Sequence, residues 1–364
     1  MTMQWSKSRL ILSSVIFILM IVVFWYMSWK RTPIVIHEEQ TIKNVFFEKR
    51  VDGALRITNC YPRSCQNPVF SPDSSQIIFT RFLNGYNKGP SELVKINLET
   101  GEEKIIIKAD GDSVNVPYGS WIGNKIIFAS DLIDSDEIVI ANDDGTAVTK
   151  VTNTKDRSLK IEPVFNPKDT TNVVFEEVPS DGKGHKIKLV DVFSKKEFYL
   201  TNDSKYDDRL PSWSADGKKI LWQRTEIGKD NWKIYTADII FPIASQSLVT
   251  IPYFEHIKTI SSGPDDTDNS WTWDGNILSS RSGDGNIPNI FLFVNGKWQR
   301  ITKSDKEDGA PSQSPDKKWT GFESHISDEN SQSNIWVINN STVAKAKDFI
   351  GINTSSTNST LLPL

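Results

Sequence analysis

The chain has 364 residues, a formal net charge of -4, and 38% hydrophobic against 24% charged residues. That is too apolar for a disordered chain, and its 20 Gly and 17 Pro lack the strict spacing of a collagen; it bounds one large domain or two ordinary ones. The slight acidity provides no basic footprint for a nucleic-acid backbone, so nucleic acid is not expected as a partner.

The first element follows a short flank, residues 1–9. Leu10 to Trp29 carries no charge and is bracketed by Lys7 and Arg9 before it and by Lys30 and Arg31 after it. As a helix at about 1.5 Å per residue it would be about 30 Å long, the thickness of a hydrocarbon core. Trp25, Tyr26 and Trp29 crowd the end where interfacial rings sit well. A cleaved signal peptide is the rival reading. The apolar run exceeds the usual signal length, and no Ala-x-Ala site follows it. Residues 10–29 are therefore expected to be a retained transmembrane helix. The basic flanks are balanced, so orientation rests on the large domain that follows a first hydrophobic segment, which is expected on the extracytoplasmic side.

Residues 30–59 read as a linker, with Thr41–Glu48 as a candidate ring-closing strand around Val45, Phe46 and Phe47. Cys60 and Cys65 come next and are the only cysteines. They are near enough to close a small disulfide loop in an oxidising compartment, although Pro62 between them could equally forbid the geometry. With no histidine nearby they do not form a metal site, and none is expected elsewhere.

Residues 60–351 repeat. The clearest copies are Pro68-Val-Phe-Ser-Pro-Asp73 with Gln76-Ile-Ile-Phe-Thr-Arg81, and Pro211-Ser-Trp-Ser-Ala-Asp-Gly217 with Lys218-Lys-Ile-Leu-Trp-Gln-Arg224. Each reads as strand, turn, strand: Pro and Gly punctuate, while Val, Ile, Phe and Trp suit a pleated, buried surface. Phe79, Phe128, Phe175, Trp222, Ser279 and Phe322 align in the second strand at intervals of 43 to 57 residues, and a third strand follows in every unit. Extra residues around Phe241–Ser262 read as an insertion. Six such units predict an all-β, six-bladed β-propeller, an architecture that hides nearly all sheet edges. Residues 352–364 form a polar tail.

The Ser-Pro-Asp-x-x-x-Ile-x-Phe pattern at 71–79, the Trp-Ser-x-Asp-Gly-Lys-x-Ile pattern at 213–220 and Ser314-Pro-Asp-Lys-Lys318 resemble the WD40-like repeats of the TolB propeller family over roughly residues 60–340. The resemblance implies a propeller in a cell-envelope context. It does not supply the separate N-terminal α/β domain of that family, because only Arg31–Asn59 separates the hydrophobic segment from unit one. The repeats also resemble the propellers of dipeptidyl-peptidase-like enzymes, whose hydrolase domain has no counterpart here, and those of oligogalacturonate lyases, whose metal-binding histidine pattern is not matched.

Arg81, Arg224 and Arg281 each lie two residues beyond an aligned second-strand position, so they are expected on one face of the ring, among acidic loops that include Asp208 and Asp268. Planar guanidinium groups suit carboxylates or phosphates, and Asp acceptors suit hydroxyls or basic side chains. The plain alternative is that these charges tie neighbouring loops together. Tyr86, Tyr118, Trp121 and Trp271 are candidates for a binding floor. Among His37, His185, His256 and His325, only His325 falls on the same face. No nucleophile elbow, phosphate loop or paired-histidine motif occurs, and no cofactor is implied. The expected function is a membrane-anchored extracytoplasmic propeller that binds a protein, peptide or glycan; the alternative is a lyase or hydrolase acting on acidic oligosaccharides.

Overall fold

A computed structural model of the chain describes residues 46–111, 114–116, 120–131, 136–155, 157–242, 251–261, 266–282, 287–326 and 332–341. Leu10–Trp29 and the tail at 352–364 lie outside them; among the described residues no helix is long and apolar enough to cross a membrane. The chain is an all-β propeller of six antiparallel sheets.

From the channel outwards, blade one is Ser64–Phe70, Gln76–Phe82, Ser91–Asn97 and Glu103–Ile107. Blade two has an inner strand in two pieces, Asn115–Val116 and Trp121–Ile122, followed by Lys125–Ser130, Glu137–Asn142 and Thr149–Lys150. Blade three is Leu159–Asn166, Asp169–Val178, Lys186–Asp191 and Glu197–Tyr199. Blade four is Tyr206–Trp213, Lys219–Glu226, Lys233–Ile240 and Tyr253–Thr259, so part of the stretch read as an insertion is that blade's outer strand. Blade five is Asp266–Trp271, Ile277–Arg281, Asn289–Val294 and Lys297–Arg300. Blade six takes Asp308–Gln313, Trp319–His325 and Ser333–Asn339 from the end of the chain, and Leu55–Arg56 and Glu48–Lys49 from its beginning.

The ring therefore closes through the N-terminal segment, but not as the sequence implied. Leu55 and Arg56 pair with Val337 and Trp336, and Glu48–Lys49 adds a fifth strand outside them. Residues 48–56 belong to the propeller, within the stretch read from sequence as linker and possible ring-closing strand; residues 41–45 of the candidate strand Thr41–Glu48 lie outside the described residues. The Cys60–Cys65 disulfide lies just beyond this closing strand, with both cysteines buried.

Six hydrophobic clusters fill the spaces between adjacent sheets. The one joining blades six and one includes Phe70, Ile77, Phe79, Trp319, Ile335 and Val337. The six aligned second-strand residues, Phe79 through Phe322, are all 0% exposed, so the repeat interval recorded a shared core position. The Ser-x-Asp motif has a local cause. In Ser71, Ser214 and Ser314 the hydroxyl donates to the Asp two residues on, at 2.6 Å each, and accepts from the amide that starts the second strand. Thr272 and Asp274 repeat the arrangement in blade five. Such a turn satisfies donors that would otherwise be lost where the chain reverses.

A second repeated feature shapes the channel. In blades one, three, four, five and six the innermost strand carries one extra residue relative to its neighbour, at Asn67, Glu162, Leu210, Asp268 and Ala310. Each has a left-handed backbone, with φ between 46° and 56°. That conformation costs about 1 kcal/mol or more for a residue with a Cβ. A bulge of this kind bends the strand and re-aims a side chain, which is its common use beside functional sites.

Candidate functional site

The three arginines expected to share a concavity are each engaged inside their own blade. Arg81 pairs with Glu92 and Glu103, both at 2.7 Å. Arg224 binds Asp208 through Nη2 at 3.0 Å as well as through Nε, and its guanidinium lies 4.5 Å from the Tyr206 ring centroid. Burial works against this cation, yet Asp208 holds its pKa above the ordinary value. Arg281 pairs with Asp266 and lies 4.2 Å from the centroid of Trp298. None of the three lines the channel cavity.

These pairs follow from register. Asp208 stands opposite Arg224, Asp266 opposite Arg281, and Lys160 opposite Glu177 with the charges exchanged. In blade six Asp308 stands opposite Ser324, and Arg50 supplies the missing cation from the N-terminal segment, donating to both Asp308 oxygens at 2.9 and 3.0 Å. The charged ring is a set of braces within the blades, between the inner strands in blades three, four and five, towards the outer strands in blade one and to the N-terminal segment in blade six. Asp208, a candidate ligand from sequence, is fully buried as one of them.

The channel holds different residues. A cavity of about 440 Å³ is lined by five carboxylates, Asp131, Asp136, Glu162, Asp268 and Glu323, and by no lysine, arginine or histidine among the described residues. Asn67, Phe82, Tyr86 and Ile161 complete much of its wall. A second, smaller cavity of about 120 Å³ is built by all six innermost strands and includes Pro68, Trp121, Trp213 and Trp271. Trp121 and Trp271 are thus wall residues there, Tyr86 belongs to the acidic cavity, and Tyr118 lies outside the described residues.

The carboxylates are held by a relay from blade to blade. Glu323 of blade six accepts from the Asn67 amide of blade one at 3.0 Å and from the Tyr86 hydroxyl at 2.9 Å. Asp268 of blade five accepts from the Ala310 amide of blade six at 3.2 Å, and Glu176 of blade three accepts from the Leu210 amide of blade four at 3.0 Å. In each case the amide donor is a bulge residue of the next blade. Burial pushes the Glu323 carboxyl up to about 8 against the opposing pull of the Asn67 amide, with Asp268 adding to the rise. Burial likewise raises Asp268, and it holds Glu162 well above the ordinary carboxylate range with Glu176 reinforcing it. Tyr86 is raised too, first by the Glu323 charge and then by burial.

Of the residues expected on this face, Asp268 lines the cavity and His325 stands beside it. The His325 ring meets Tyr86 edge-on, with centroids 4.7 Å apart, its Nδ1 lies 3.5 Å from Glu307, and burial lowers its pKa. His185 is also buried, hydrogen-bonded to Glu176. His256 is an exposed partner of Asp238, and His37 lies outside the described residues. No group of His, Cys, Asp or Glu with metal-ligand geometry occurs among the described residues.

Sequence reasoning missed Glu162 because it aligned second strands, and it passed over Glu323, one residue after the aligned Phe322, because it followed the arginine position two residues on. For Glu162 the signal was present one strand earlier. Asn67, Glu162, Leu210 and Ala310 each immediately precede a proline in the aligned inner strand, and that position is the bulge.

This channel, ringed by six blades, places the chain among the six-bladed β-propellers. No protein-family model matches it, and no curated protein matches it in sequence. Similar solved structures include an oligogalacturonate lyase in complex with manganese, 16% identical with a TM-score of 0.50 over 82% of this chain and 96% of that one. A gluconolactonase from Xanthomonas campestris is 8% identical with a TM-score of 0.55, over 79% and 89% of the two chains. TolB from Acinetobacter baumannii is 14% identical with a TM-score of 0.50, over 77% of this chain and 64% of its own. At these identities the likeness concerns the fold alone.

Proposed function

We propose that this protein is a membrane-tethered binding propeller, held by Leu10–Trp29 with its blades on the extracytoplasmic side, and that its channel receives a positively charged part of a protein or peptide partner. The observation that carries this reading is the channel cavity: five carboxylates and no cation among its described lining residues. Isolated buried carboxylates are unfavourable, and an incoming cation relieves them. The alternative of acidic-oligosaccharide chemistry is disfavoured on the same ground. Its anionic substrate would meet an acidic wall, while Arg81, Arg224 and Arg281 are already paired.

The binding reading is tested by partner retention on the immobilised full-length protein. Asp136→Lys, which puts a cation at the cavity wall, is expected to abolish retention, whereas Arg81→Ala is expected to leave it unchanged. Retention that survives Asp136→Lys and is lost with Arg81→Ala would overturn the channel as the binding site. The tether is tested separately: alkaline washing of membranes is expected to leave the intact protein in the pellet, and its release would refute a transmembrane helix.

A further inference from the structure

In the channel cavity Glu162 has a carboxyl oxygen that is sealed from solvent and that no hydrogen bond among the described residues satisfies. Glu162 and Asp268 occupy the same bulge position in blades three and five. Asp268 accepts from the bulge amide of the next blade. The corresponding amide for Glu162 is that of Leu210, and Glu176 already takes it. Glu162 is thus left over: its Oε2 is sealed from solvent and has no hydrogen-bond partner among the described residues. A carboxyl oxygen sealed from water without a donor is destabilising, because it loses its hydrogen bonds to water and gains none in return. No described residue supplies that donor, and a ligand entering the channel can.

We infer that the cavity is a site for alkylammonium groups, with Glu162, Asp268 and Glu323 as the acceptors. This rests on the binding reading above and specifies the chemistry of the group received. A metal ion fits less well, because Ca²⁺ takes six to eight oxygens at about 2.3–2.6 Å and no such convergence occurs among the described residues. The acids instead surround a space of about 440 Å³, which suits a ligand with separated charges on a flexible chain. Ile161, Phe82 and the Tyr86 ring offer apolar wall for the methylenes. An ammonium donates three hydrogen bonds and accepts none, which matches a wall that presents acceptors. A free polyamine and a lysine side chain of a partner share this chemistry.

Calorimetry on the purified full-length protein tests the site with three probes: spermidine, a lysine-containing peptide, and Ca²⁺. Spermidine or the peptide is expected to bind, with affinity reduced at least tenfold by Glu162→Gln and by Asp268→Asn, and unchanged by Glu99→Gln on the exposed surface. Glu162→Gln removes no hydrogen bond among the described residues, so loss of binding there is not loss of the fold. Binding of spermidine alone supports the site and identifies a free amine as its ligand; tighter binding of the peptide supports it and identifies a partner's side chain. If neither amine binds, or if both bind equally well to Glu162→Gln, the alkylammonium site is refuted. So too if Ca²⁺ alone binds and Glu162→Gln abolishes it. Partner retention that still depends on Asp136 would then leave the binding reading standing without it.

Discussion

Replacing Arg50 by Ala is expected to destabilise the propeller by about 3–5 kcal/mol, the usual effect of removing one member of a buried ion pair. The guanidinium donates to both oxygens of Asp308 and to Asp52, and its carbon lies 4.8 Å from the Trp336 ring centroid and 5.2 Å from that of Phe322. Asp308 is 0% exposed and would be left with an uncompensated charge. Arg50 also sits between Glu48–Lys49 and Leu55–Arg56, so it joins the closing strands to blade six. The measurement is the denaturant midpoint at unchanged slope, which reports stability rather than a change in exposed surface. Adding Asp308→Asn to Arg50→Ala should recover part of the loss, because the stranded charge disappears. Arg81→Ala should cost less, since its partners Glu92 and Glu103 are 10% and 33% exposed, against 4% and 0% for Asp52 and Asp308, and water reaches them more readily when the cation leaves.

Stability is expected to fall as pH rises from about 4.5 to about 8, and Glu162→Gln to reduce that slope. Glu323 titrates near 8 in the folded protein against an ordinary 4.5. Between those values the folded state binds more protons than the unfolded state, so raising the pH favours unfolding. Glu162 and Asp268 act in the same direction. The groups facing them are Glu176, Glu307 and Tyr86, and no cation lines the cavity among the described residues. All three carboxyls lower stability as the pH rises, because each holds its proton more tightly in the folded than in the unfolded state. Below about pH 4 the trend reverses, because Asp73, Asp169 and Asp216 have carboxyls lowered by their turn hydrogen bonds and lose that support on protonation. Thermal melts of the parent and Glu162→Gln at pH 5 and pH 8 check this. The variant should gain at pH 8 and change little at pH 5; equal slopes would contradict the role given to Glu162.

The aligned residues from Phe79 to Phe322 were legible in the sequence because each is set by its own neighbours. A buried second-strand residue follows a Ser-x-Asp turn that closes within five residues in the chain, as at Ser71 and Gln76. The arginines at 81, 224 and 281 were legible as a repeat but not as a role. Their spacing showed a common position, while cross-strand register decided that Asp208 and Asp266 stand opposite two of them. Asp268 was selected from the acidic loops, and Glu162 and Glu323 were not, although the three approach one another in the channel.

The sequence by itself determined the six-unit β architecture, the turns between first and second strands, and the uncharged stretch at Leu10–Trp29, since strand alternation, turn hydrogen bonds and hydropathy act over a few residues. Only the tertiary structure decided how the ring closes and what its channel offers. Leu55 meets Val337, Arg50 meets Asp308, and Glu323 meets Asn67 across more than 250 residues of chain. Those meetings depend on curvature summed over six blades and on one bulged residue in five of the inner strands, which local propensity does not encode.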